Sequence, residues 1–276
     1  MTSLKQIAGS MIVTGIVLAI IGFASGGKWS ITLDRTGFQV PDEGTLETKS
    51  YELDAFTSIN IVNDYGDIEI LQSDSYALEI KSIATTDITY EVKDGTLTVK
   101  AKKLREKPLT IGVWQSEFPS IKVYIPKDAK LANIVLETSF GDVKMQQLNY
   151  EQLNLFADYG DIAFKNITAG QTEITQDFGD MALQQFSSDS LVAKSEYGDI
   201  AIDGTLNGKT TITSNLGDVD LQLLNKYSDL GFELNTDLGD ITLNGKDFGS
   251  KHSQVHKGDN QLDVSLSLGE LDLSLQ

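Results

Sequence analysis

A Gly-Asp pair returns through this chain at a fixed distance, and that periodicity restricts the fold more than any other feature. It reads DYGDI at 64–68, SFGDV at 139–143, DYGDI at 158–162, DFGDM at 177–181 and EYGDI at 196–200. It continues as NLGDV at 215–219, DLGDI at 237–241 and SLGEL at 267–271. The motif residues are Gly66 with Asp67, Gly141 with Asp142, Gly160 with Asp161 and Gly179 with Asp180. They continue as Gly198 with Asp199, Gly217 with Asp218, Gly239 with Asp240 and Gly269 with Glu270. From Gly141 four successive glycines are 19 residues apart (160−141, 179−160, 198−179, 217−198), and steps of 22 and 30 follow. A constant period of this kind marks units that each stack on their neighbours.

Within each unit apolar residues alternate with polar ones, as in half-buried strands, and long helical patterns are missing after the N-terminus. Apolar columns recur seven and five positions before the glycine: Ile59 and Ile61, Ile134 and Leu136, Leu153 and Leu155, with Thr172 and Thr210 interrupting the first column. Others recur two and four positions after it, as in Ile68 and Ile70, Ile162 and Phe164, Ile200 and Ile202. The residue before the glycine (Tyr65, Phe140, Tyr159, Phe178, Tyr197, Leu216, Leu238, Leu268) is apolar too and is expected in the core. From there to the next apolar position is an odd number of steps, so the alternation changes phase and the chain must bend at Gly-Asp. Glycine supplies the backbone angles for that bend, and the aspartate is expected to cap its own turn. The fold expected is all-β: a β-solenoid, single-stranded and right-handed β-helix-like, with about two strands per coil. An antiparallel meander closed by type II′ Gly-Asp hairpins is the alternative.

Outside the repeats the clearest segment is the N-terminus. No charged residue occurs in QIAGSMIVTGIVLAIIGFASGG, 6–27. As a helix at 1.5 Å per residue that run spans about 33 Å, enough for a hydrocarbon core of about 30 Å. Lys5 precedes it, which places a cytoplasmic tail at 1–5, a transmembrane anchor at 6–27 and the remainder outside the cell. A cleaved signal peptide ending near Ala24-Ser25-Gly26 is the rival reading. Residues 28–55 then read as a tether and 56–276 as the β-solenoid domain. TYEVKDGTLTVK, 89–100, is a hairpin turning at Asp94-Gly95, and 103–120 is an irregular loop. With 40 acidic against 22 basic residues the net charge is −18, which argues against a nucleic-acid partner and against unaided adhesion to anionic lipid or wall polymer. Cysteine is absent, so disulfides, thiolate metal sites and lipid-modified cysteine are excluded.

Few residues are placed for chemistry. The acids after each glycine, with Asp64, Asp158, Asp177, Glu196 and Asp237 two positions before it, form outward columns that could offer oxygen ligands to calcium. No other cofactor is expected. Paired carboxylates also serve glycosidases, but these acids recur in every coil, whereas a catalytic pair would interrupt the repeat at one place. Ser195 lacks the glycine-flanked elbow of a hydrolase nucleophile. His252 and His256 lie in an insertion, 245–260, read as an exposed loop without a third ligand. Trp114 and Phe118, beside Lys102, Lys103, Arg105 and Lys107, could form a contact patch or cap one end of the core. The final coil, 262–276, alternates to the last residue and its edge should be paired or covered.

The anchor at 6–27, FTSINIVNDYGDIEI at 56–70, IKVYIPKDAKLANIVLETSFGDVKM at 121–145 and the later Gly-Asp coils together resemble the LiaG-like, adhesin-type class of β-strand-repeat proteins from Gram-positive bacteria. The resemblance covers nearly the whole chain. It implies a membrane-tethered envelope protein, in a family linked to envelope-stress systems, and brings no catalytic residues with it. The expectation is a non-enzymatic binding or scaffolding element in the cell membrane whose partner is a wall polymer or an envelope protein. A calcium-dependent sensing module is the second reading.

Overall fold

Stretches that alternate with a 19-residue period can satisfy their backbone groups by lying in register on their own repeats, and this is what the chain does. In the computed structural model, which describes residues 15, 30–34, 37–39, 46–82, 86–103, 109–112 and 119–276, the strands Val143–Tyr159, Ile162–Phe178 and Met181–Tyr197 are stacked parallel. Val143 lies beside Ile162 and Ile162 beside Met181, so each coil repeats the last with an offset of 19 residues. Parallel pairing at the repeat distance makes this a β-solenoid and rules out the antiparallel meander.

Each coil has three hydrogen-bonded runs where about two were expected. In the Val143–Tyr159 strand they are 143–146, 148–150 and 152–157, and the gaps between them are corners. The corner missed in the sequence sits at Gln147, Asn166 and Gln185, whose φ angles of 56°, 55° and 50° are left-handed. The backbone turns there without glycine, which is why no motif announced it.

Inside, the columns two and four positions after each glycine are buried throughout, from Ile68 and Ile70 to Leu271 and Leu273. So are the columns seven and five before it, Thr172 and Thr210 included, and the Tyr150 hydroxyl meets Thr172 Oγ1 at 3.0 Å. Burial pushes the Tyr150 phenol far above its ordinary range. At roughly 1.5–3 kcal/mol for each fully buried large aliphatic side chain, these repeated columns are the main source of cohesion.

The two ends depart from simple repetition. At the first, Ser58–Asn63 pairs parallel with both Leu131–Phe140 and Thr96–Lys103, and the latter closes a hairpin with Thr86–Lys93 through Asp94 and Gly95 (φ 50° and 74°). Asp67–Ser73 pairs with Ser120–Pro126, which is followed outward by Ala77–Ser82 and then Glu47–Glu52, both antiparallel. The stretch expected as a tether, 28–55, therefore carries strand, and its last part is an outer strand of the repeat domain.

At the other end the coils are out of chain order. Gln261–Leu268 lies between Lys209–Leu216 and Gly231–Leu238, parallel to both, and Leu271–Leu275 lies between Val219–Leu223 and Ile241–Leu243. The C-terminal coil is an interior layer, so its edge is paired on both sides, as its unbroken alternation required. The coil of Gly239 is outermost, and the insertion expected as a loop covers it: Lys251–Gln254 pairs antiparallel with Gly231–Leu238, and Lys246–Asp247 with Ile241–Leu243. His252 is stacked on Phe248 at 3.9 Å in that cover.

Contacts divide the chain into two units. One, residues 46–104 with 118–276, is the solenoid. The other, residues 1–45 with 105–117, has a three-stranded antiparallel sheet in the order Gly37–Gln39, Ser30–Asp34, Leu109–Gly112. Among the described residues no helix is long and apolar enough to cross a membrane. The anchor expected at 6–27, Gly15 apart, the tail at 1–5, and Trp114, Phe118, Arg105 and Lys107 lie outside the described residues.

Candidate functional site

The Gly-Asp corner is where the coils place recurrent side chains on the surface. Each motif glycine has φ between 125° and 153°, a region that side-chain-bearing residues avoid. The stack adds a second demand. Gly160 N donates to Phe178 O at 3.0 Å, and a Cβ on Gly160 would stand 2.2 Å from Gly141 O. The backbone ladder therefore runs unbroken around the corner only because nothing projects there.

Next to the glycine, six of the eight carboxylates cap the neighbouring turn and not their own. Asp67 Oδ1 accepts the amide of Asp142 at 3.0 Å, and Asp142, Asp161, Asp180 and Asp199 accept those of Asp161, Asp180, Asp199 and Asp218 at 2.8–3.1 Å. Asp218 accepts the amide of Glu270 at 2.8 Å, following the spatial order of the coils across the inserted layer. One oxygen of each is thereby committed to the protein. Among the described residues no three acidic or histidine side chains converge to hold a metal ion. The Lys144 ammonium lies 3.1 Å from Asp142 Oδ2, and that hydrogen bond raises the lysine above its ordinary range. Burial raises the Asp67 carboxyl, against the lowering effect of the Asp142 amide.

On the glycine's other flank the structure corrects the sequence expectation. Phe140, Tyr159, Phe178 and Tyr197 are 39–48% exposed and stand outside the core. Their rings are stacked face to face with centroids 4.9, 4.8 and 4.7 Å apart and planes within 4°. Leu216, Leu268 and Leu238, all exposed, continue the line across the last three coils. The inward position is two residues earlier, in a column that is mostly polar: Asn63, Thr138, Ala157, Gln176, Ser195, Ser214 and Thr236, all buried. Several of these bind glycine carbonyls at the inner corner, Gln176 Nε2 to Gly160 O at 2.7 Å and Thr236 Oγ1 to Gly269 O at 3.2 Å. Their polarity hid the column in a hydropathy pattern. Its recurrence at the same 19-residue spacing was the available signal.

The surface so built is one residue wide and seven coils long. Its centre is apolar; Asp158, Asp177, Glu196 and Asp237 are exposed on one side, and Asp161, Asp180, Asp199, Asp218, Asp240 and Glu270 on the other. Glu196 is held by Asn215 Nδ2 of the next coil. Neighbouring rungs at about 4.8 Å place like charges close enough to repel by on the order of 1 kcal/mol in water.

A family model, Toastrack DUF4097, matches residues 56–266. No curated protein matches. A candidate adhesin from Bacteroides fragilis shares the fold at a TM-score of 0.51 and 18% identity, over 86% of this chain and 100% of that one. Similarity extends to a candidate cell adhesion protein from Clostridium sporogenes (TM-score 0.39, 14% identity, 84% and 100% covered). A candidate adhesin from Parabacteroides merdae is also similar (TM-score 0.37, 13% identity, 86% and 98% covered).

Proposed function

The chain belongs to the Toastrack DUF4097 family, and on that premise we propose that it is an adhesin-like binding element of the cell envelope, acting by contact and not by turnover. One observation carries this reading. Four stacked rings and three leucines form a continuous exposed line, an apolar surface of the kind that a partner covers. The fold shared with the Bacteroides fragilis candidate adhesin adds to it. The uncharged run 6–27 supports anchorage in the membrane with the repeat domain outside, and the LiaG-like resemblance supports the same reading, with a role in envelope stress.

Between the two expected partners the geometry favours an envelope protein over a wall polymer. Sugars pack on the faces of aromatic rings, and here each inner face is covered by the next ring, so the stripe presents edges. The test is co-sedimentation of the full chain, held in mild detergent, with whole envelope fragments and with purified walls. Wild type should sediment with whole envelopes. Tyr159→Ser with Phe178→Ser should abolish this at a temperature where the variant, although its melting temperature falls with the loss of three ring stacks, is still folded by circular dichroism. Undiminished sedimentation of that variant would remove the stripe from the contact.

A further inference from the structure

We propose that the stripe docks a basic amphipathic helix of a partner protein, about 19 residues long, laid along the solenoid axis. This rests on the stripe being the contact surface and names what it contacts. Three features of the corner converge on that occupant.

The first is charge. The apolar line is bordered on both sides by exposed carboxylates, Asp158, Asp177 and Glu196 on one and Asp161, Asp180 and Asp199 on the other, in a chain of net charge −18. Lys144, at one end, is already paired with Asp142, and the exposed Lys194, two residues before Glu196, is a single further cation against six carboxylates. A second copy of this chain or an anionic bilayer would bring like charge to like, whereas a cationic partner relieves the repulsion within each column.

The second is spacing. Seven rungs at about 4.8 Å span about 29 Å, the length of a helix of about 19 residues at 1.5 Å per residue. Helical apolar residues recur once per turn of 5.4 Å, so the mismatch over six intervals is about 4 Å, less than one rung. Alternate residues of an extended strand recur every 6.6–6.8 Å and would slip by about 11 Å, more than two rungs. The third is the ring-edge presentation, which suits aliphatic side chains laid across the ladder. Lysines and arginines flanking the helix's apolar face would then reach both acid columns.

The experiment uses the full chain and a fluorescent 19-residue peptide with leucines at i, i+3, i+4 and i+7 and lysines on both flanks of that face. Its controls are a scrambled peptide of the same composition and a version with glutamates for lysines. Anisotropy should show micromolar binding of the first peptide, weakened about tenfold between low and about 0.5 M salt, and at least tenfold weaker binding of both controls. Tyr159→Ser with Phe178→Ser should cost about tenfold, and Asp158→Asn with Asp177→Asn and Glu196→Gln should cost a similar factor and flatten the salt dependence. Equal binding of the scrambled peptide would show general polyanion behaviour and overturn the proposal. So would self-association of the chain, abolished by the serine variant, with the helix unbound. If that variant loses envelope sedimentation while the helix does not bind, the contact surface stands and the basic helix falls.

Discussion

At Gly160 two independent constraints meet, a φ of 139° and a carbonyl oxygen 2.2 Å from where a Cβ would sit. The oxygen belongs to Gly141, in the backbone of the preceding coil, and cannot move away. Gly160→Val should therefore cost at least about 3 kcal/mol in denaturant unfolding, or prevent folding. Asp161→Asn keeps the oxygen that accepts the Asp180 amide and removes one charge from a repelling column, so its effect should stay within about 1 kcal/mol. Equal effects of the two would break the account of the corner. Asp67 allows a test by pH. Burial raises its carboxyl above the ordinary 3.8, so the folded protein holds that proton more tightly than the unfolded chain does. Its contribution to stability therefore rises as pH falls through the raised value, and is complete below 3.8. Asp67→Asn should melt higher than wild type at neutral pH, with the gap closing as acid is added.

The coils behave as layers whose cohesion comes from the layers on either side. The C-terminal coil is sandwiched between those of Gly217 and Gly239, with both of its main runs paired on both edges. Deleting 261–276 should therefore not trim an end. It removes an interior layer and leaves Lys209–Leu216 and Gly231–Leu238 without their shared partner. Hydrogen exchange should show protection lost across 209–243, while the layers before Ser188 keep theirs. Fast exchange confined to 239–260 would contradict the interleaved order.

Across the solenoid, acid columns run in line with little opposite charge to offset them. Interactions between exposed charges are screened within about 8–10 Å at physiological salt. Moderate sodium chloride should raise the melting temperature of the chain, and neutralising Asp158, Asp177 and Glu196 together should diminish that rise. A melting temperature insensitive to salt would mean that the columns hold no appreciable repulsion, and would weaken the case for a cationic partner.

The 19-residue spacing of Gly-Asp was enough to specify stacked repeats and a corner at each motif glycine, because identical segments satisfy their backbone groups on one another. It left a parallel solenoid and an antiparallel meander both open, and the pairing of Val143 with Ile162 and of Ile162 with Met181 decided for the parallel coils. The spacing could not specify on which side of the corner Tyr159 and Phe178 would lie. Alternation defines inside and outside only along one strand, and a positive-φ glycine resets it, so an apolar residue beside the corner reads equally well either way. Nor did it reveal the turns at Gln147, Asn166 and Gln185, where ordinary residues take left-handed angles. The interleaving of the last coil was equally hidden. Coil faces of the same length and polarity pair equally well with several neighbours, and the choice rests on how the segment from 224 to 260 returns the chain across the stack.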